Sequence, residues 1–266
     1  MAVRLVVMGG GNMGEALVAG LIHSSWAPAG ELAVVEKLTD RRKELEGTHP
    51  GLAVSADVPA GVPDAVIAVK PADVEHACVS LAAAGANRVL SIAAGVTIHR
   101  LEGWLGGGVR VVRAMPNTPA LVGAGAAAIS PGSAASEDDL EWAAGILGAV
   151  GTVVRVPEKL LDAVTGLSGS GPAYVFLVAE ALVEAGVLVG LPRDVATALT
   201  VQTLLGSAQL LARSSEGPTA LRFAVTSPGG TTAAGLQELE SAAVRAAFLR
   251  AVAAATERSR ELGGNS

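Results

Sequence analysis

The chain has 266 residues, room for one large domain or two smaller ones, and half of them are hydrophobic but only 3% aromatic, so any core must be built from Ala, Val, Leu and Ile. A net charge of −6 leaves no basic stripe to neutralise phosphates, which excludes nucleic acid as a partner. The single cysteine, Cys78, allows no internal disulfide, and the four histidines, His23, His49, His76 and His99, show no metal-ligand spacing, so no metal is expected.

The chain opens on Val3 to Met8, a continuous β-branched and apolar run of the kind that forms a strand buried on both faces. Gly9-Gly10-Gly11-Asn12-Met13-Gly14 follows at once, and Glu15 to His23 reads as a helix with Leu17, Val18 and Leu21 inward. This is Gly-x-Gly-x-x-Gly after a strand and opening a helix, the context that makes a dinucleotide-binding loop credible. Gly9 permits the tight turn, Gly11 lets backbone approach a pyrophosphate, and Gly14 lets the helix pack on the strand. With 33 glycines in the chain the bland alternative is a chance match, and position decides against it. Leu32 to Val35 is a second strand, ending at Glu36, where an acid typically takes the ribose hydroxyls of NAD. Lys37, Arg41 and Arg42 crowd the same turn and can hold a 2′-phosphate instead. Charge counting does not settle the conflict; weighing three cations against one acid, a modest preference for NADPH is expected.

Ala65 to Val69 is a third buried strand, closing on Lys70-Pro71; Val89 to Ile92 ends at Ala93-Ala94-Gly95; Val109 to Arg113 leads to Met115-Pro116-Asn117-Thr118-Pro119. In an open parallel sheet ligands sit beyond the carboxyl ends of the strands, and Lys70, Ala93, Ala94, Gly95 and Asn117 all fall there. A solvated loop lysine is the bland reading of Lys70. Gly123 to Ser130 and Gly151 to Val156 read as a closing pair of strands around a helix from Glu137 to Val150.

After Pro157 the pattern is helical throughout, which divides the chain into a dinucleotide-binding domain over 1–157 and an all-helical domain over 158–266. Ser168-Gly169-Ser170-Gly171-Pro172 reads as a helix start with Pro in the first turn. The helix from Ala173 to Val189 is apolar nearly all round, interrupted only by Glu180 and Glu184. A domain of this size has little core to hide it, so an obligate dimer is expected. Pro192 starts a further helix through Leu211, Pro218 to Phe223 is short, Thr231 to Leu262 supplies the last helices, and Gly263 to Ser266 is a tail. Mean hydropathy is +0.48, but Gly, Pro or charge breaks the apolar stretches well short of ~20 residues, so no membrane span is expected. Met1-Ala2-Val3-Arg4 runs straight into the first strand, so no signal peptide and a cytoplasmic location are expected.

Between Ser227 and Thr232 the chain reads Ser-Pro-Gly-Gly-Thr-Thr. Pro228 cannot lie inside a helix, and Gly229-Gly230 frees the backbone to turn its N–H groups one way. A nest of N–H groups at a helix start, beside the hydroxyls of Thr231 and Thr232, suits a carboxylate or phosphate. An ordinary Gly-rich turn with Thr231 as N-cap is the bland alternative.

Five motifs now stand in order: Gly9 to Gly14, Ala68-Val69-Lys70-Pro71, Met115 to Pro119, Gly166 to Tyr174, and Thr226 to Thr232. Together they resemble the Δ1-pyrroline-5-carboxylate reductase family across nearly the whole chain. The last two are specific to that family; the first is shared by many enzymes. The resemblance implies an α/β fold, a Rossmann-type domain followed by an all-α dimerisation domain. It implies NADP(H)- or NAD(H)-dependent reduction of 1-pyrroline-5-carboxylate to L-proline, and a homodimer often gathered into a decamer, a pentamer of dimers. It also implies that Gly9, Gly11, Asn12 and Met13, then Ala68, Val69, Lys70 and Pro71, then Ala93, Ala94 and Gly95, line the cofactor. Gly230, Thr231 and Thr232 then hold the substrate. Many relatives carry a small polar residue at the position of Glu36.

Reducing a cyclic imine needs hydride at carbon and a proton at nitrogen, so a hydroxyl at the ring nitrogen suffices, and Thr232 is the candidate. The N–H groups of Gly230 and Thr231 are expected to anchor the substrate carboxylate, with Ser227 and Gly229 in the same turn. Tyr174 reads as a packing residue. A β-hydroxyacid dehydrogenase is a rival of the same layout, but its Lys-x-x-x-Asn pair is missing: Lys159 has Ala163 four residues on. A non-enzymatic dinucleotide sensor is the other rival, and it has no need of the Ser-Pro-Gly-Gly-Thr-Thr turn.

Overall fold

In the computed structural model of the chain, which describes residues 3–264, the apolar runs of the first half form one eight-stranded sheet. Its strands are β1 (Leu5–Met8), β2 (Leu32–Val35), β3 (Ala53–Ser55), β4 (Asp64–Ile67), β5 (Arg88–Ser91), β6 (Arg110–Met115), β7 (Gly125–Pro131) and β8 (Gly151–Arg155). Their order is β3-β2-β1-β4-β5-β6-β7-β8. Neighbours are parallel except β6 and β7, which run antiparallel. The carboxyl ends of β1, β2, β4, β5 and β6 therefore lie along one edge.

The sheet is covered on both faces, which is why its strands read as unbroken apolar runs. Leu5 and Val7 of β1 join Leu17, Leu21, Leu90 and Ile146 in one core. Val6 and Met8 point the other way, into a second core with Ile67, Leu81, Val89 and Leu101. The alternation follows from the two-residue period of a strand, and each such side chain contributes roughly 1.5–3 kcal/mol by leaving water. Helices α1 (Asn12–His23) and α5 (Glu137–Gly148) supply the first core. Helices α3 (Val74–Ala83) and α4 (Ile98–Leu105) supply the second. A further helix, α2 (Thr39–Thr48), anchors itself by Leu45 alone.

The second half is helical: α6 (Leu161–Val164), a five-residue π turn at Thr165–Gly169, α7 (Gly171–Leu188), α8 (Arg193–Arg213), α9 (Pro218–Ala224), α10 (Thr231–Ser241) and α11 (Val244–Leu262). The expected helix start at Ser168 to Pro172 is corrected here: the helix runs through it, from Glu158 to Leu188. Pro172 has no N–H to give the carbonyl four residues back, and Asn117 Nδ2 donates to that Ser168 oxygen instead, at 3.0 Å. Ser170 N–H reaches Thr165 O at 2.8 Å, the wider π spacing. Gly169 packs closely here: a Cβ would lie 2.6 Å from Met115 Cε, so the methionine would have to move aside.

Contacts divide the chain into one unit up to Ser170 together with the stretch from Ala253, and a second unit over Gly171–Val252. The division read from sequence lay at 157/158. The difference comes from α6, the π turn and the end of α11, all of which pack with the sheet unit. Ser259 Oγ donates to Asp162 Oδ1 at 2.7 Å, and Gly95 lies against Leu262, whose oxygen would be 3.6 Å from a Cβ.

The second unit is built differently. Ala196 and Thr200 are its buried residues, while Phe176, Leu177, Leu188, Leu199, Leu205 and Leu249 are exposed. Gly186 lets α7 and α8 meet at Ala196, whose Cβ would be 2.9 Å from a side chain at that glycine. Among the described residues two helices, Glu158–Leu188 and Arg193–Arg213, are long and apolar enough to cross a membrane. The expected interruption short of that length does not occur, because the glycines, Pro172 and the scattered acids are absorbed into the helices.

Candidate functional site

Gly9 closes β1 at a φ of +103°, a left-handed conformation that favours glycine, and a Cβ there would sit 2.8 Å from Ala68 O. A Cβ on Gly14 would strike the Gly9 carbonyl. Gly11 differs: nothing lies within 4 Å of where its Cβ would be. No neighbour in the fold demands that glycine, so the open space over the loop is what a close-lying ligand would use. Gly11 is the N-cap of α1, and the N–H groups of Asn12, Met13 and Gly14 stand in the first turn without intrahelical partners. This arrangement fits a dinucleotide pyrophosphate.

A cavity of about 390 Å³ adjoins the loop. It brings together seven of the residues singled out in the sequence: Gly9, Gly11, Glu36, Lys37, Ala68, Val69 and Lys70. Pro71 begins a short 3-10 turn directly after Lys70. Ala93, Ala94 and Gly95 follow β5 on the same sheet edge but do not line this cavity. Leu38, Val58, Asp73, His76 and Ser80 also line it, and no motif marks them.

Glu36 bridges two backbone donors: Gly10 N–H reaches its Oε2 at 2.9 Å, and Leu38 N–H its Oε1 at 2.9 Å. The basic residues of the same turn are committed elsewhere. Arg41 donates to Gly10 O at 2.7 Å and pairs with Glu44 at 2.7 Å and Glu15 at 2.5 Å, bonds that raise its pKa further. Arg42 donates to the carbonyls of Glu36 and Lys37 at 2.9 and 2.8 Å. Lys37 Nζ lies 2.9 Å from Asp73 and holds that carboxyl below its ordinary pKa. The three cations weighed against Glu36 in the sequence are thus all partnered.

Asn117, also read as a cofactor residue, has both ends of its amide engaged within the fold. Besides donating to Ser168 O, it accepts from Ala126 N–H at 2.8 Å.

In the second unit the Ser227–Thr232 turn is formed much as its sequence suggests. Gly229 has φ +72°, and Gly230 is the N-cap of α10, so Thr231 is the first helical residue rather than the cap. Gly230 N–H is taken by Ser227 O at 3.1 Å and is not free for a ligand, a correction to its expected role. The first intrahelical bond is Ala234 N–H to Gly230 O at 3.2 Å. The N–H groups of Thr231 and Thr232 precede it and have no helical acceptor. Both threonines are exposed. Among the described residues no cluster of His, Cys, Asp and Glu has the makings of a metal site.

Two family models match the chain. One, described as pyrroline-5-carboxylate reductase dimerisation, covers residues 158–262; the other, NADP oxidoreductase coenzyme F420-dependent, covers 4–95. A pyrroline-5-carboxylate reductase of Synechocystis is 47% identical over 99% of both chains. The solved structure of a pyrroline-5-carboxylate reductase from Coxiella burnetii superposes with a TM-score of 0.92 at 37% identity, covering 98% of this chain and 99% of that one. The Plasmodium falciparum pyrroline carboxylate reductase, solved with NADP bound, gives 0.86 at 30% identity and 98% of each chain.

Proposed function

The chain belongs to the pyrroline-5-carboxylate reductase family, and on that premise we propose which residues carry its reaction. It is an NAD(P)H-dependent oxidoreductase that reduces the cyclic imine 1-pyrroline-5-carboxylate to L-proline, the last step of proline biosynthesis. One observation carries this reading: the 47% match runs the length of the chain and so spans both the Gly9–Gly14 loop and the Ser227–Thr232 turn.

When bound, the dihydronicotinamide supplies the hydride that the imine carbon takes up. The chain's share of the work is positioning. The N–H groups of Asn12, Met13 and Gly14 hold the pyrophosphate and Glu36 meets the ribose, with Gly9, Gly11, Ala68 to Pro71 and Ala93 to Gly95 lining the dinucleotide. The N–H groups of Thr231 and Thr232 hold the substrate carboxylate in a turn shaped by Ser227, Gly229 and Gly230. The Thr232 hydroxyl donates a hydrogen bond to the ring nitrogen as the amine forms.

The helical half is a dimerisation domain, and the chain self-associates. We assign the apolar faces of α7 and α8 to a second copy of the chain rather than to lipid, and five such dimers to a decamer. A cytoplasmic location, where substrate and nicotinamide are dissolved, completes the reading. The test is to add 1-pyrroline-5-carboxylate to enzyme and NADPH or NADH and follow oxidation together with proline formed. A folded protein that binds dinucleotide yet makes no proline overturns it.

A further inference from the structure

Resting on the reductase reading, we propose that Glu36 makes this chain select the unphosphorylated adenosine ribose, so that NADH is bound and used in preference to NADPH.

The Glu36 carboxylate is fixed at the rim of the cavity by two backbone donors, Gly10 N–H on the phosphate loop and Leu38 N–H on the turn after β2, each at 2.9 Å. Gly10 makes this possible, because a Cβ there would lie 3.3 Å from both Cβ and Oε2 of Glu36 and 2.5 Å from Leu45 Cδ1. A carboxylate so held keeps lone pairs for the ribose hydroxyls, which can donate to it. A 2′-phosphate has only acceptor oxygens and negative charge to offer at the same place.

The cations that would welcome a phosphate are already drawn to other groups. Leu38 N–H is given to Glu36, Arg42 to two carbonyls, and Arg41 to Gly10 O, Glu15 and Glu44. Lys37 is balanced by Asp73. Lys70 and His76 also line the cavity. Lys70 follows β4, which stands two places from β2 in the sheet, about 10 Å away at ordinary strand spacing. At the end of β2 the Glu36 carboxylate is thus held by backbone donors while the cations beside it face other groups, the reverse of what three cations in sequence suggest.

The test is direct binding. Purified enzyme is titrated with NADH and with NADPH, following reduced-nicotinamide fluorescence. The dissociation constant for NADH should be at least ~10-fold lower at low ionic strength, and the ratio should narrow as salt screens the repulsion. Glu36→Gln removes the charge while keeping an acceptor oxygen, and should tighten NADPH by ~10-fold with a smaller change for NADH. Wild-type enzyme that binds NADPH as tightly as NADH overturns the proposal, as does a folded Glu36→Gln protein with an unchanged ratio. Should that variant not fold, the wild-type ratio and its salt dependence decide the matter. Selective NADH binding without proline formation would sink the reductase reading and leave this inference standing.

Discussion

Thr232 is the second residue of α10, exposed, with a backbone N–H that no helical acceptor takes. If its hydroxyl assists at the ring nitrogen, Thr232→Ala should lower kcat/KM by at least ~10-fold with little change in dinucleotide affinity, and Thr232→Ser should recover most of the loss. An alanine variant with unaltered kcat/KM removes Thr232 from the mechanism. Asp139 illustrates a residue whose charge serves the fold. It is fully buried, and burial alone would raise its pKa, but hydrogen bonds from the Ser136 N–H and hydroxyl, aided by Arg110 and Arg88, bring it below the ordinary value. A carboxyl depressed on folding contributes stability that is present above the unfolded pKa, ~3.9, and lost as pH falls through the folded value. Asp139→Ala should therefore cost ~2 kcal/mol at pH 7, through the lost capping box on α5 and the lost ion pairs. Urea unfolding at pH 7 and at pH 3 should show that deficit shrinking in acid.

The π turn between α6 and α7 is an element that depends on one distant amide. Asn117 joins it to the start of β7 by donating to Ser168 O and accepting from Ala126 N–H. Asn117→Asp keeps the acceptor and loses the donor, which leaves a carbonyl unsatisfied beside Pro172. A loss of ~1–3 kcal/mol is expected, with faster hydrogen exchange at Ser170; unchanged protection there would show that the turn holds itself. This is also where sequence reading stops. Glycine and serine before a proline look like a break, and only the donor from Asn117, 51 residues away, tells otherwise. The phosphate loop was legible because Gly9 and Gly14 answer close approaches between neighbouring segments, while Gly11 leaves open space over the loop. Helix α2 carries Leu45 as its sole buried residue and so shows no apolar stripe. Helix α3 does show one, at Val74, Ala77, Cys78 and Leu81, and its spacing would have revealed it. The pairing of Glu36 with Gly10, and the commitment of Arg41 and Arg42, follow from tertiary placement that no local pattern encodes.

At the scale of the molecule the two units rest on opposite principles. The sheet unit has a core on each face. Gly171–Val252 has almost nothing buried and a surface of leucine, valine and phenylalanine, far beyond what water tolerates on a monomer. On the proposed dimer, burial by a second copy would turn that surface into a core, and association would then be part of folding for this half and a condition of activity. Leu182, in the middle of α7, tests the point. Leu182→Arg would put an unpaired charge into the proposed interface, at a cost of about 3–5 kcal/mol. Sedimentation should show the dimer lost, and proline formation should go with it. Titration of the same variant should still show dinucleotide bound, because Gly9 to Gly14 and Glu36 belong to the other unit. Wild-type enzyme that sediments as an active monomer at assay concentration would break the link between assembly and turnover.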